Sequence, residues 1–228
     1  MAIVKNDSLS SWAQFISWMQ DNLVPNFFQS VAVDSEDSTL LVCTGVGGQK
    51  ILGIVMAEGF YPSKYIIYRS DGTIVEETCA TSSVVFQYVA VCANGAMIRF
   101  SRYADNISSS NGMTAFLITK NNHEKTAVIA THYTNQSSDQ YASLRFTTNV
   151  RCFAEDDNPN IVPLSFHSRV MEQTQKVQFA TNAASNEVSY TPNAFYLQCG
   201  NIYDIPYNRF TDDGVTYLTN GYWAVRDE

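Results

Sequence analysis

The chain has 228 residues and a formal net charge of −8, and its 14 basic residues form no cluster suited to a phosphate backbone or an anionic membrane. Hydrophobic residues make up 45% of the chain and charged residues only 16%, a composition typical of a folded domain whose polarity comes from Ser, Thr and Asn. We expect a soluble protein made in the cytoplasm, because the sequence shows neither a secretion signal nor an apolar run of about 18 residues.

An amphipathic helix is predicted near the N-terminus. Its apolar stripe consists of residues that share one helix face: Trp12, Phe15, Ile16, Met19 and Leu23. Ser11 followed by Gln14 fits a capping box, and Pro25 ends the helix because proline lacks a backbone donor. The stripe must be buried, either on the chain's own sheet or on a neighbouring subunit. The first arrangement is favoured, although Trp18, which lies off the stripe, adds weight to the second.

The rest of the chain alternates short apolar runs with turn residues, which predicts antiparallel hairpins. Four are predicted before residue 134, namely 40–44 with 51–56, 65–68 with 73–77, 84–92 with 96–100, and 114–119 with 126–133. Their turns lie at 45–48, Asp71-Gly72, Asn94-Gly95 and Asn121-Asn122. Further strands are predicted at 142–147, 150–153, 162–166, 176–180 and 194–198, and a last hairpin, 216–218 with 222–225, turns at Asn220-Gly221.

These strands predict a mainly β protein, either an antiparallel β-sandwich or a jelly-roll-like barrel, with one N-terminal α-helix. Both faces of 84–92 are apolar, so we expect a central strand buried on both sides. No helical pattern separates the strands, which argues against a parallel sheet. We divide the chain into 1–33, the helix and a connector, and 34–228, a single β domain.

The residue types that carry out catalysis or bind metals are scattered along the chain. The three histidines, His123, His132 and His167, have neither the spacing of a metal-binding helix nor a nearby cysteine pair. Cys43 and Cys92 lie in apolar strand contexts, and no CxxC pair occurs, so we expect buried structural thiols. We therefore expect a protein without enzymatic activity, without a metal and without a cofactor.

Clusters that resemble binding motifs are better explained as ordinary surface structure. Arg99 and Arg102 are expected on the solvated face of a strand rather than against nucleic acid. The glycines of 45–48 precede a predicted strand, so they indicate a hairpin turn and not a phosphate-binding loop. Asp212-Asp213 is expected to be a solvated turn, since it lacks the spacing of a calcium loop.

Aromatic residues are concentrated near the C-terminus, where Asn, Asp and Thr surround them. The candidate interface or binding residues are two tryptophans of the helix and seven C-terminal aromatics: Trp12, Trp18, Tyr196, Tyr203, Tyr207, Phe210, Tyr217, Tyr222 and Trp223. Tyr and Trp combine a large rigid ring with a polar tip, which suits a protein interface or a sugar-binding surface as well as a core. The sequence leaves these three roles open for the C-terminal aromatics.

Two features suggest a resemblance to a known class of proteins. They are the composition rich in Ser, Thr and Asn, and the closing segment 212–223, Asp-Asp-Gly-Val-Thr-Tyr-Leu-Thr-Asn-Gly-Tyr-Trp. In these respects it resembles accessory virion proteins of tailed bacteriophages and prophages, such as head-decoration, neck or tail-tip β proteins. The resemblance implies a non-enzymatic structural or assembly subunit that binds itself or other particle proteins, first in the host cytoplasm and then in the virion. The alternative is a β module that binds a surface glycan or receptor.

Overall fold

The computed structural model describes residues 9–68, 74–79, 85–101, 113–133, 150–154, 175–181, 189–198, 209–219 and 223–227. These residues form one α-helix and three antiparallel sheets of five strands each. The predicted mainly β, antiparallel fold with an N-terminal helix is confirmed. The arrangement is sandwich-like and does not close into a barrel.

The first sheet follows the helix directly in the chain. The helix and the strands in chain order are α1 (Trp12–Leu23), β1 (Ser30–Val33), β2 (Leu40–Thr44), β3 (Lys50–Met56), β4 (Pro62–Tyr68) and β5 (Ile74–Thr78). Each strand pairs with the next, so the order across the sheet is β1-β2-β3-β4-β5. The last residues of the predicted connector therefore belong to the sheet, because β1 pairs with β2.

The second and third sheets are built from the remaining strands. They are β6 (Val85–Cys92), β7 (Gly95–Ser101), β8 (Met113–Lys120), β9 (Thr126–Tyr133), β10 (Val150–Ala154), β11 (Gln175–Thr181), β12 (Ser189–Gln198), β13 (Arg209–Asp212), β14 (Val215–Thr219) and β15 (Trp223–Arg226). The second sheet has the order β10-β9-β8-β7-β6, and the third has the order β11-β12-β15-β14-β13. The first two sheets are thus simple meanders, whereas a jelly roll needs strands that cross between its sheets.

One large core joins α1, the first sheet and the second sheet. Phe15, Met19 and Leu23 of the helix are fully buried in it, together with inner-face residues of both sheets. The helix therefore packs on the chain's own sheets, which is the favoured one of the two predicted arrangements. A β-sheet with one apolar face must bury that face against another layer, and here the two sheets and the helix do so together.

The second sheet is the middle layer of the stack. Along β7, Ala96, Ile98 and Phe100 point into the large core, while Gly95 on the opposite face approaches Val225 of the third sheet. Where side-chain burial is described, β7 and β8 consequently have buried residues on both faces.

This stacking corrects two expectations. Residues Val89 to Cys92 are buried as expected, but β6 is an edge strand among the described strands of its sheet and not a central one. Arg99 is only 3% exposed, so the prediction that it lies on a solvated face is wrong. Arg102 lies outside the described residues.

The ends of α1 follow the predicted signals. Ser11 accepts a hydrogen bond from the Gln14 amide at 3.3 Å, and the Gln14 side chain accepts one from the Ser10 amide at 2.8 Å. These two bonds resemble a capping box, except that the Gln14 side chain accepts from the residue before the N-cap instead of from the N-cap itself. Val24 is extended (φ −102°, ψ 133°), which ends the helix before Pro25.

The predicted hairpins form, although their turns differ in detail. The 45–48 turn is present and places Gly47 and Gly48 at positive φ. In the β6–β7 hairpin the pairing of Cys92 with Gly95 leaves Ala93 and Asn94 as the loop. A Cβ on Gly95 would lie 2.7 Å from the Ile118 carbonyl oxygen of the neighbouring strand β8 and 3.0 Å from Val225 of the third sheet, so glycine is needed there.

Some predicted elements lie outside the described residues, and two observed strands were not predicted. The strands at 142–147 and 162–166, the Asp71-Gly72 turn and the Asn220-Gly221 turn fall in the first group. The strands that flank both turns do pair as hairpins. The unpredicted strands, β1 and β13, are each only four residues long.

Candidate protein interface

The two helix tryptophans lie against the chain's own sheets. Trp18 is only 5% exposed and belongs to the large core. Trp12 is half-buried, and its indole nitrogen donates a hydrogen bond of 2.8 Å to the carbonyl oxygen of Ala57 in the β3–β4 connection. Its ring meets the edge of Phe60 at 5.1 Å and that of Phe15 at 5.7 Å. Edge-to-face pairs of this kind stabilise intramolecular packing, so both tryptophans have a local structural role.

The described C-terminal aromatics lie on strands of the third sheet. Tyr217 is 6% exposed, and its ring packs edge-to-face on that of Phe195 at 6.0 Å. The backbone of Phe210 pairs with Tyr217, and the backbone of Tyr196 pairs with Trp223. Tyr217 therefore fills a small core. Three further candidates lie outside the described residues: Tyr203, Tyr207 and Tyr222.

Several reactive side chains lie inside the described layers. Cys43, Cys79 and Cys92 are buried thiols, as predicted for Cys43 and Cys92. Burial raises the pKa of the Cys43 thiol far above its ordinary value, which keeps it protonated and unreactive. Within the described residues no group of three or more His, Cys, Asp or Glu side chains is arranged to hold a metal ion. No helix in the same part of the chain is long and apolar enough to cross a membrane.

The first sheet has two edges, and the helix lies beside one of them, β1. Because the Asp34 amide bonds to the Leu40 carbonyl oxygen at 2.8 Å, the alternation of an antiparallel ladder directs the backbone groups of Val31 and Val33 away from β2. The Gln20 side chain of α1 donates a hydrogen bond of 2.8 Å to the outward carbonyl of Val31. This bond occupies one outward group of the edge, so a strand added here would have to displace Gln20.

The opposite edge, β5, is open as far as the described residues extend. The Cys79 amide bonds to the Ser63 carbonyl oxygen at 2.9 Å, and the register continues with Glu77 opposite Tyr65. By the same alternation, the backbone groups of Ile74, Glu76 and Thr78 point away from β4. In the part of the chain that the structure describes, no strand lies beyond β5 and no hydrogen bond occupies these outward groups.

The side chains at this edge are also accessible. Ile74 is 53% exposed, and Glu76 and Thr78 are exposed on the same outer face. The carboxylate of Glu76 accepts a hydrogen bond of 2.9 Å from the Lys64 ammonium on β4. Exposed apolar side chains beside unpaired backbone groups are the features that attract an additional strand.

On the outer face of the first sheet, the strands next to β5 pack tightly around Gly53. A Cβ on Gly53 would lie 3.2 Å from Leu40 and 3.3 Å from the ring of Tyr68, so these two side chains fold over the glycine. The Lys50 ammonium lies 5.9 Å from the centroid of the Tyr68 ring. Partial burial is the main cause that raises the pKa of the Tyr68 hydroxyl. These contacts pack together the outer faces of β2, β3 and β4, the strands behind β5.

A surface ion pair lies beside this packing. Lys50 donates a hydrogen bond of 2.7 Å to the Asp34 carboxylate, which also accepts one from the Glu36 amide at 3.0 Å. These bonds, that from Lys50 first, hold the pKa of Asp34 below its ordinary value, and the same ion pair raises the pKa of Lys50. Lys50 is exposed and Asp34 is partly buried, and the pair links the β1–β2 connection to β3.

Sequence reasoning placed the β5 strand but missed its importance. The segment Ile-Val-Glu-Glu-Thr indicates a strand, yet nothing in it reveals that the strand ends a sheet. A usable signal was the pair of adjacent glutamates, since charged residues are common on edge strands.

Comparison of the chain with models of known families, with curated proteins and with solved structures finds no match.

Proposed function

We propose that the protein is a structural or assembly subunit, without enzymatic activity, that joins a larger protein assembly by adding a strand from another protein to the open β5 edge. The expected setting is a phage-like particle, in a decoration, neck or tail-tip layer. This setting rests on the resemblance in composition and closing segment. The edge itself rests on the structure.

The observation that carries the proposal is the contrast between the two edges of the first sheet. The helix α1 lies beside β1, where Gln20 bonds to the outward carbonyl of Val31, although Val33 at the end of that strand is 40% exposed. Within the described residues no helix or strand lies beside the outward groups of Ile74, Glu76 and Thr78. Natural proteins usually protect sheet edges because an open edge pairs with other chains. The charge that β5 carries, Glu76, hinders pairing with a strand of like charge and remains compatible with a partner strand of opposite charge.

A proline at an outward-pointing position tests the proposal. Thr78→Pro removes an amide that points away from β4, so the β4–β5 pairing should survive while strand addition is blocked. Affinity purification of the tagged wild-type chain from its native cells, followed by electron microscopy, should yield a regular particle or a stoichiometric complex. The Thr78→Pro chain should purify alone. A wild-type chain that also purifies alone would contradict the proposal.

Two control variants separate binding from folding. Thr78→Ala keeps the outward amide and should still enter the assembly. Glu77→Pro removes an amide that bonds to β4, so it should lower the free energy of unfolding by about 1–3 kcal/mol, whereas Thr78→Pro should unfold close to wild type. If Thr78→Pro enters the assembly as well as wild type does, the β5 edge is not the binding edge.

The alternative function, a glycan-binding module, depends on exposed aromatic rings near the C-terminus. Tyr217 is buried against Phe195, which removes one ring from that surface. The same burial removes Tyr217 from a protein interface at this surface, so the assembly function rests on the β5 edge and not on the C-terminal aromatics.

A further inference from the structure

We propose that the strand which binds β5 is an extended basic segment of another protein, with a Lys or Arg opposite Glu76 and an apolar residue opposite Ile74, and is not a second copy of this chain. This inference rests on the proposed use of the β5 edge and adds the chemistry of the partner.

The charge and side-chain pattern of the edge define what fits beside it. A residue opposite Glu76 on an added strand would lie about 5 Å from it, on the same face of the sheet. Lys64 bonds to one oxygen of the Glu76 carboxylate, Oε2, and a carboxylate can accept further bonds at its other oxygen. A Lys or Arg on the added strand could thus bond to Glu76 on the side opposite Lys64, which would give a row of alternating charges.

The neighbouring positions favour an apolar residue. Ile74 lies two residues from Glu76 on the same face, and its side chain is 53% exposed. Covering it with an apolar side chain removes that surface from water and is favourable. The preferred partner therefore alternates, with a basic residue at one outward position and an apolar residue at the next.

A second copy of the chain fits poorly at this edge. In the antiparallel register that overlaps all of β5, Glu76 lies opposite Glu76 of the copy, and like charges opposite each other are destabilising. Shifting the register by one pair in one direction places Glu77 opposite Glu77, and shifting it in the other places Ile74 opposite Glu76. The net charge of −8 also opposes self-association and favours a basic partner.

Fluorescence anisotropy with synthetic peptides tests the inference. The probe is a labelled, N-acetylated Thr-Val-Thr-Lys-Thr-Val-Thr peptide, whose central Lys and flanking Val residues match the outward pattern in either strand direction. The comparison peptide carries Glu in place of Lys. We expect the Lys peptide to bind the wild-type chain about five-fold more tightly than the Glu peptide, with the preference declining as salt rises.

Variants of the chain link any preference to the edge. Glu76→Gln should abolish the preference, Glu76→Lys should reverse it, and Thr78→Pro should remove binding of both peptides. Glu58→Gln, at an exposed position in the β3–β4 connection, should leave the preference unchanged.

The outcomes separate this inference from the proposed function. If both peptides bind equally and Thr78→Pro abolishes binding, the edge accepts a strand but the basic partner is wrong. If light scattering shows a wild-type dimer that Thr78→Pro dissociates, the partner is a second copy and the inference is again wrong. If neither peptide binds at millimolar concentration, both the inference and the open edge are contradicted.

Discussion

The side-chain amide of Asn94 donates a hydrogen bond of 2.9 Å to the carbonyl oxygen of Arg226, which joins the second sheet to the third across 132 positions of the chain. Its oxygen also accepts a bond of 3.2 Å from Asn193 of β12, and its own carbonyl accepts one of 2.7 Å from Thr119. Asn94 therefore bonds to three strands, β8, β12 and β15, at the point where the second sheet meets the third.

Replacing Asn94 tests how firmly these layers are joined. Asn94→Ala removes two side-chain hydrogen bonds and should lower the free energy of unfolding by about 1–3 kcal/mol, measured by urea denaturation. Asn26→Ala, an exposed asparagine of the turn after α1, should stay within about 0.5 kcal/mol of wild type. An equal effect of the two variants would show that the contact does not hold the third sheet.

The fully buried Phe15 tests whether α1 belongs to this chain's own core. Its ring lies 5.5 Å from that of Phe100 and 5.7 Å from that of Trp12. Phe15→Ala leaves a cavity among these rings and should cost about 3–5 kcal/mol in urea denaturation, a large share of the stability of an ordinary domain. Ser17→Ala, on the exposed side of α1, should cost less than about 0.5 kcal/mol. A loss below about 1 kcal/mol for Phe15→Ala would indicate that the helix packs elsewhere.

The Asp34–Lys50 ion pair predicts a specific dependence on pH. Because the folded pKa of Asp34 lies below its ordinary value of 3.8, the pair stabilises the folded state above that value and the contribution is lost as pH falls through the folded pKa. Carboxyl NMR titration should show the low pKa in wild type and a higher one in Lys50→Met. Lys64→Met, which leaves this pair intact, is the control. An Asp34 pKa that is unchanged in Lys50→Met would contradict the assignment.

Local structure could be predicted from the sequence because it depends on neighbouring residues. The stripe from Trp12 to Leu23, the Ser11 cap and the alternation in 126–133 each specify an element through local geometry. The strands β1 and β13 were not predicted, because a run of four residues shows little periodicity. Their pairing partners, β2 and β14, stabilise them.

The stacking of layers could not be predicted, because it depends on contacts between distant segments. The apolar faces of 84–92 indicated burial on both sides, but could not distinguish a central strand from an edge strand in a middle layer. The sequence pattern assigns the charged Arg99 to a solvated face, yet it is buried in the second sheet. Trp18 lies off the helix stripe, yet it is buried in the large core. The candidate edge at β5 is likewise visible only once the strand order is known.

Residue-resolved hydrogen exchange of the isolated chain tests the open β5 edge most directly. The amides of Val75 and Glu77 bond to β4 and should exchange slowly, whereas those of Glu76 and Thr78 point outward and should exchange near the rate of an unfolded chain. Adding the Lys peptide should slow exchange at Glu76 and Thr78 and leave Val75 and Glu77 unchanged. Slow exchange at all four amides before any partner is added would show that the edge is already covered and would contradict the account.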